Sequence, residues 1–255
     1  MPNLKAFAAM SSRAPRLLLI NPNTTAAMTR LMLGVARAAA APATRLTAVT
    51  GRFGARYIAS RAAAAIAGHA ALDALARHHG AHDVVVLACF GDPGLLALRE
   101  FSPKPVIGMA EASMRMAARR GRFSIVTGGE RWGPMIGELA ALLGLDRNLA
   151  RVRTVAPTGA DIARDPEAAH DLLVRACREA ATKDKAKSVI LGGAGLAGIA
   201  AKIQPRVPVP VIDSTVAVVK TAEALAGKKG MRDPFGPTPA VETISLSPGL
   251  AKALR

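Results

Sequence analysis

Short aliphatic runs, each closed by glycine, proline or helix-capping residues, alternate along the chain with longer stretches whose apolar residues recur at helical spacing. Residues 17–20 (Leu-Leu-Leu-Ile) read as a strand that stops at Asn21-Pro22-Asn23-Thr24-Thr25. The segment from there to Ala39 reads as a helix with Met28, Leu31, Met32 and Val35 along one stripe. Residues 44–50 read as a second strand and 51–54 as a loop. Residues 57–79 read as an alanine-rich helix with Ile58, Ala62, Ile66, Leu72 and Leu75 facing inward. Then Val84, Val85, Val86 and Leu87 rise without a polar interruption, the signature of a strand buried on both faces of a parallel sheet. This strand is expected to end at Ala88 or Cys89, because Gly91, Asp92 and Pro93 are turn and helix-start residues. A short helix around 95–99, a strand at 105–108 and a helix over 109–119 follow.

The rhythm then begins again. Residues 123–126 read as a strand ending at Thr127-Gly128-Gly129, followed by a helix over 132–143 and a strand over 149–155. A helix is expected over 160–181, a strand at 188–191 ending in Gly192-Gly193-Ala194-Gly195, a strand at 210–213 and a last helix over 214–226. From Lys228 onward the chain is rich in proline and glycine and reads as surface or loose chain. Strands alternating with helices in this way predict an α/β protein with parallel sheets.

The second half repeats the first. Val85 to Gly91 aligns with Val189 to Gly195 at a separation of 104 positions, Pro105 to Gly108 with Pro210 to Asp213 at 105, and Ile20-Asn21 with Val126-Thr127 at 106. Matches in one order at nearly one offset predict two similar lobes, each a parallel sheet flanked by helices. The expected divisions are a disordered leader at 1–15, a first lobe at 16–109, a second at 110–212, a closing helix at 213–227 and a tail at 228–255.

Composition narrows the class. The apolar fraction is 51% with only 3% aromatic residues, and no apolar run approaches the ~20 residues that span a bilayer. Two cysteines without framework spacing fit a reducing, cytoplasmic setting. The formal charge of +16 raises the question of a nucleic-acid partner. The arginines are scattered, however, and the dense basic stretches at 115–122 and 183–187 carry no interleaved aromatic residues for stacking on bases. The expectation is a solvated basic surface with no nucleic-acid or membrane partner, a small-molecule substrate and assembly as a homo-oligomer. The same field would draw small anions toward a cleft.

Two similar lobes facing each other through the carboxyl ends of their central strands would enclose a cleft. The residues expected to bind substrate there are Asn21, Asn23, Phe90, Gly91, Thr127, Gly128, Gly193 and Ala194, with Cys89 as the chemically reactive group. On position alone Cys89 has two readings, a thiol at a ligand-binding strand end or a small core hydrophobe. Cys177 lies on or beside the apolar stripe of its helix and reads as core. His69 reads as a helix-surface residue, and His78, His79 and His82 as groups at a helix end, where positive charge suits the dipole. Gly192-Gly193-Ala194-Gly195 lacks the spacing of the dinucleotide fingerprint, and no paired Cys/His spacing suggests a metal.

The strings Ile20-Asn21-Pro22-Asn23-Thr24-Thr25, Ala88-Cys89-Phe90-Gly91-Asp92-Pro93-Gly94 and residues 105–111, 123–127, 191–198 and 211–223 together resemble the aspartate/glutamate racemase superfamily, most closely its hydantoin racemase branch. The resemblance implies two α/β lobes, no cofactor, no metal and racemisation by two thiols on opposite faces of the substrate's α-carbon. This chain departs from that pattern, since Gly193 stands where the second cysteine belongs. The implied reaction is therefore proton transfer by Cys89 at an acidic α-carbon of a small carboxylate, amino-acid or hydantoin-like substrate. A one-thiol decarboxylase of the same superfamily and a catalytically inactive small-molecule binder are the alternatives.

Overall fold

The computed structural model describes residues 14–78, 80, 82–155, 166–229 and 240–254. Most of the leader expected at 1–15 and the first residues of the helix expected over 160–181 lie outside the described residues, as does His79. The first sheet holds β1 (Arg16–Asn21), β2 (Arg45–Thr50), β3 (Val84–Leu87) and β4 (Val106–Gly108) in the order β2-β1-β3-β4. The second holds β5 (Phe123–Gly128), β6 (Leu149–Val155), β7 (Ser188–Gly192) and β8 (Val211–Asp213) in the order β6-β5-β7-β8. Every neighbouring pair of strands is parallel. The two sheets therefore share one topology, and their registers correspond: Leu87 pairs with Gly108 as Leu191 pairs with Asp213.

The central strands β3 and β7 are buried at every residue. Both faces of each sheet are covered by helices, so uninterrupted aliphatic runs stabilise these strands where an alternating pattern would not. The helices are α1 (Ala26–Ala39), α2 (Arg61–Arg77), α3 (Leu95–Phe101), α4 (Met109–Ala118), α5 (Trp132–Leu142), α6 (Pro166–Thr182), α7 (Ile199–Ile203), α8 (Ser214–Leu225) and α9 (Pro248–Ala253). Helix α8 follows the last strand of the second sheet, yet it packs on α4 and α1. Glu223 fixes it there by accepting hydrogen bonds from the backbone N–H of Ala41 at 2.7 Å and from Thr44 Oγ1 at 2.6 Å. Among the described residues, no helix is long and apolar enough to cross a membrane.

Two expectations about helix faces need correction. Helix α2 begins at Arg61, where Ser60 caps it by accepting from the N–H of Ala63 at 3.2 Å. Its inner face is Ala67, Ala70, Ala71, Ala74 and Leu75, whereas Ala62 and Ile66 are exposed. A helix built mainly from alanine carries little phase information, and here closeness of approach decides which face turns in. Gly68 sits against the backbone of Gly94, where a Cβ would come within 3.2 Å. Leu31 likewise turns outward on α1, whose buried residues are Thr29, Met32 and Ala36.

The C-terminal segment is also better anchored than its composition suggests. Helix α9 packs on α2 with Leu250 buried, and Ser247 donates to the buried carboxylate of Asp73. Asp73 also accepts from Arg52 and Arg77, which holds its carboxyl below the ordinary aspartate range despite the burial that opposes this.

Candidate active site

The chain leaves β3 at Leu87 and must turn within a few residues to enter α3. It does so through three positive backbone angles, at Gly91 (φ 132°), Asp92 (φ 46°) and Gly94 (φ 79°). Glycine takes such angles freely, but an aspartate does so at a cost that its surroundings must offset. The carboxylate of Asp92 accepts from the N–H groups of Ala110 at 2.9 Å and Glu111 at 2.7 Å, the free donors at the start of α4. The turn is thus bolted to the helix that follows β4. Glu111, buried behind it, is paired with Arg99 and Arg115. Burial pushes the Asp92 carboxyl up to about 7, with the backbone donors and Arg99 acting against that rise and Glu111 adding to it.

This turn presents Cys89 and Phe90 to a cavity of about 410 Å³ between the two sheets. Asn23, Thr25 and Met28 line it from the turn after β1 and the start of α1. Arg56, Tyr57 and Ile58 line it from the segment between β2 and α2. The second sheet contributes Thr127 and Gly128 from the end of β5, Trp132 from α5, and residues 192–196 from the turn after β7. The strand ends of both sheets converge on one chamber, and of the residues expected there Asn23, Cys89, Phe90, Thr127, Gly128, Gly193 and Ala194 all line it.

Asn21 and Gly91 do not. The side chain of Asn21 is buried beneath the cavity, donating to Asn23 Oδ1 at 2.8 Å and Thr29 Oγ1 at 2.9 Å. Asn23 Oδ1 accepts in turn from the N–H of Thr25 at 2.9 Å. Asn21 therefore shapes the turn that carries Asn23, leaving only the latter to face the chamber. Gly91 lies under the indole of Trp132, whose Cη2 would be 2.7 Å from a Cβ at that position. Its role is to let the two lobes approach.

A second close approach forms the floor. A Cβ on Gly192 would fall 2.5 Å from Cζ of Phe90, so the ring at the end of β3 occupies the space above the end of β7. The next residue, Gly193, has φ 133° and ψ 139°, a conformation open to glycine and strained for any residue with a side chain. Space itself is not short there, since a Cβ would meet Thr127 Oγ1 at 3.8 Å. The second-lobe counterpart of Cys89 is thus a bare backbone beside a threonine hydroxyl.

Cys89 is half-buried and opens onto the chamber, and Cys177 is wholly buried in the core of the second lobe. Burial pushes the Cys89 thiol up to about 12, and the neighbouring Asp92 carboxylate adds to the rise. Desolvation is the larger of the two causes. Burial alone pushes Cys177 up to about 12. Both causes favour the protonated form of the Cys89 thiol.

Sequence reasoning missed the segment before α2. Residues 57–60 read as the first turn of a helix, but they run irregularly across the cavity mouth, where Tyr57 and Trp132 of the other lobe both line the chamber. Burial is the main cause that raises the Tyr57 pKa. The available signal was Ser60, one residue ahead of an alanine run, an N-cap that starts the helix late. Among the described residues no group of three or more His, Cys, Asp or Glu side chains is gathered as metal ligands.

Residues 17–222 match the family model of Asp/Glu/hydantoin racemases. The chain belongs to this family. It is 37% identical over 214 residues to a hydantoin racemase of Pseudomonas sp. (strain NS671), covering 82% of this chain and 86% of that protein. Among solved structures of the racemase family it is similar to allantoin racemase from Pseudomonas fluorescens, with a TM-score of 0.85, 32% identity and coverage of 90% of this chain and 99% of that one. Allantoin racemase from Klebsiella pneumoniae gives a TM-score of 0.84 and 34% identity, covering 94% and 99% respectively. The paired four-stranded sheets are the racemase fold.

Proposed function

We propose that this racemase-family chain moves a proton at an acidic α-carbon of a small hydantoin-like, amino-acid or carboxylate substrate, with the Cys89 thiol as the proton-transfer group and no cofactor. The observation that carries this reading is the position of Cys89, the only thiol lining the chamber, at the end of a central strand. A carbon flanked by carbonyl or imide groups releases its proton into an enolate whose negative charge rests on oxygen. Backbone N–H groups of the strand-end turns and the Thr127 hydroxyl are suitable donors to that oxygen. A thiol and its thiolate can give and take the carbon-bound proton on one face. On the other face Gly193 leaves room for a water beside Thr127, and that water would exchange the proton needed for inversion. The test is deuterium incorporation at the α-carbon of a 5-substituted hydantoin, followed by proton NMR in heavy water together with optical rotation. Incorporation by the intact protein and none by Cys89→Ala is the expected result. Equal rates in the two proteins would reject the assignment.

A second reading is supported by the high pKa of Cys89 and the absence of a side chain at 193. A single protonated thiol suffices where the carbanion is made by losing carbon dioxide. The C–C bond to the carboxylate breaks, the electron pair stays on carbon, and Cys89 delivers a proton that it regains from solvent. Release of carbon dioxide from a disubstituted malonate, with a single product enantiomer, would select this reading over racemisation.

A further inference from the structure

The segment over the cavity mouth carries three arginines, and two of them are paired with carboxylates. Arg52 pairs with the buried Asp73 at 2.9 Å, and Arg61 pairs with Glu138 across the two lobes. Arg56 stands between them. Its backbone carbonyl accepts from Thr25 Oγ1 at 2.8 Å, and the adjacent carbonyl of Ala55 accepts from the N–H of Thr24 at 3.2 Å. The residue is thereby pinned to the turn that leads into α1, on the rim of the chamber. Among the described residues no carboxylate pairs with its guanidinium. Among the described residues that line the chamber it is the only charged one, and none of them is Asp or Glu. Met28, Ile58, Phe90 and Trp132 give the lining much of its apolar surface, and Asn23, Thr25 and Thr127 add uncharged polar groups.

A chamber with a thiol at its floor, largely apolar walls and, among the described residues, one cation without a carboxylate partner at its mouth selects for a molecule of matching polarity. We infer that the substrate is an organic anion, carrying a carboxylate on an apolar arm, with the acidic carbon at Cys89 and the carboxylate on Arg56. This rests on the proposed reaction at Cys89 and adds the substrate's charge and the residue that reads it. The guanidinium offers two parallel N–H donors to a carboxylate, a geometry that a carboxamide meets only in part. The chain's net charge of +16 enriches such anions at the mouth before they bind.

The experiment uses a matched pair of probes, a hydantoin bearing a carboxyalkyl group at its 5-position and the same molecule as the carboxamide. Affinity is measured by calorimetry on the intact chain and on Arg56→Met and Arg56→Lys, and α-proton exchange is followed in parallel on the same proteins. The acid is expected to bind roughly five- to tenfold tighter than the amide, as suits a partly exposed ion pair. That preference should vanish in Arg56→Met, survive in part in Arg56→Lys and shrink as salt is raised. Equal affinity for acid and amide, an equal loss of both in Arg56→Met, or no binding of either probe would overturn the inference. An Arg56-dependent preference without exchange at the α-carbon would reject the proposed reaction and leave the anion site standing. Exchange that ignores the probe's charge would do the opposite.

Discussion

The carboxylate of Asp92 occupies the volume that a side chain on Gly108 would need: a Cβ there would lie 2.6 Å from Oδ1 and nearer still to the carboxyl carbon. Nothing flexible separates the two, because both oxygens of Asp92 are committed to the N–H groups of Ala110 and Glu111. Gly108→Ala should therefore evict the carboxylate, cost about 1–3 kcal/mol of stability and loosen the turn that carries Cys89. Urea denaturation reads the first effect and α-proton exchange the second. A variant as stable and as active as the parent would refute the argument.

The same carboxyl sets a dependence on pH. Its folded pKa is about 7 against an ordinary aspartate value of about 4. Between those values the folded protein holds a proton that the unfolded chain has released, so this group makes stability fall as pH rises and contributes no slope above about 7. Asp73, Asp184 and Glu223 are shifted down instead, so their contribution is lost as pH falls below the ordinary carboxylate range. Denaturation of the parent and Asp92→Asn across pH 4–8 isolates the Asp92 part. The difference between them should drift over the lower part of that range and level off near neutrality.

The thiols should separate by access. Iodoacetamide is expected to label Cys89 in the folded protein and to reach Cys177 only after unfolding, since the latter has no exposed surface. Because the Cys89 pKa is near 12, labelling should keep accelerating well beyond pH 9, where an ordinary thiol has already levelled off. Peptide mapping with a pH series decides it, and prior labelling of Cys177 would contradict the structure.

Restoring a thiol to the second lobe meets a backbone obstacle. Gly193→Cys has room beside Thr127 but forces a side chain onto φ 133°. It should cost about 1–3 kcal/mol in denaturant titrations, and Gly193→Ala should cost about the same. Gly192→Ala should slow exchange more, because its Cβ displaces the Phe90 ring that forms the cavity floor. Equal stability of Gly193→Cys and the parent would mean that the turn after β7 relaxes freely.

Much of this architecture was legible in the sequence because aliphatic runs closed by glycine carry strong signals. Residues 84–87 and 188–191 announced parallel strands, and their constant offset announced the repeated lobe, which placed Cys89 and Gly193 on one chamber. What escaped had weaker or longer-range causes. Alanine gives almost no phase to α2, so its face and its starting point were misread, and with them the mouth residues Arg56 and Tyr57. Asn21 and Asn23 look equivalent in sequence, and only a buried hydrogen-bond chain tells the supporting residue from the one that faces the cavity. The bond from Asp92 to the start of α4 joins residues 18 and 19 positions apart, beyond the reach of any local pattern.

In the second lobe the counterpart of Gly108 is Asp213, and it caps the equivalent N–H groups, those of Thr215 and Val216, while reaching back to the N–H of Gly198 at 2.6 Å. One half fills the gap between turn and helix from the turn, the other from the strand. Aspartate at both positions crowds two carboxylates into one space, and aspartate at neither leaves a helix start bare. The two halves therefore reach the same capped helix start through a carboxylate placed on different elements. Gly108→Asp should be tolerated better when Asp92 is replaced as well, since the two carboxylates would otherwise share one space.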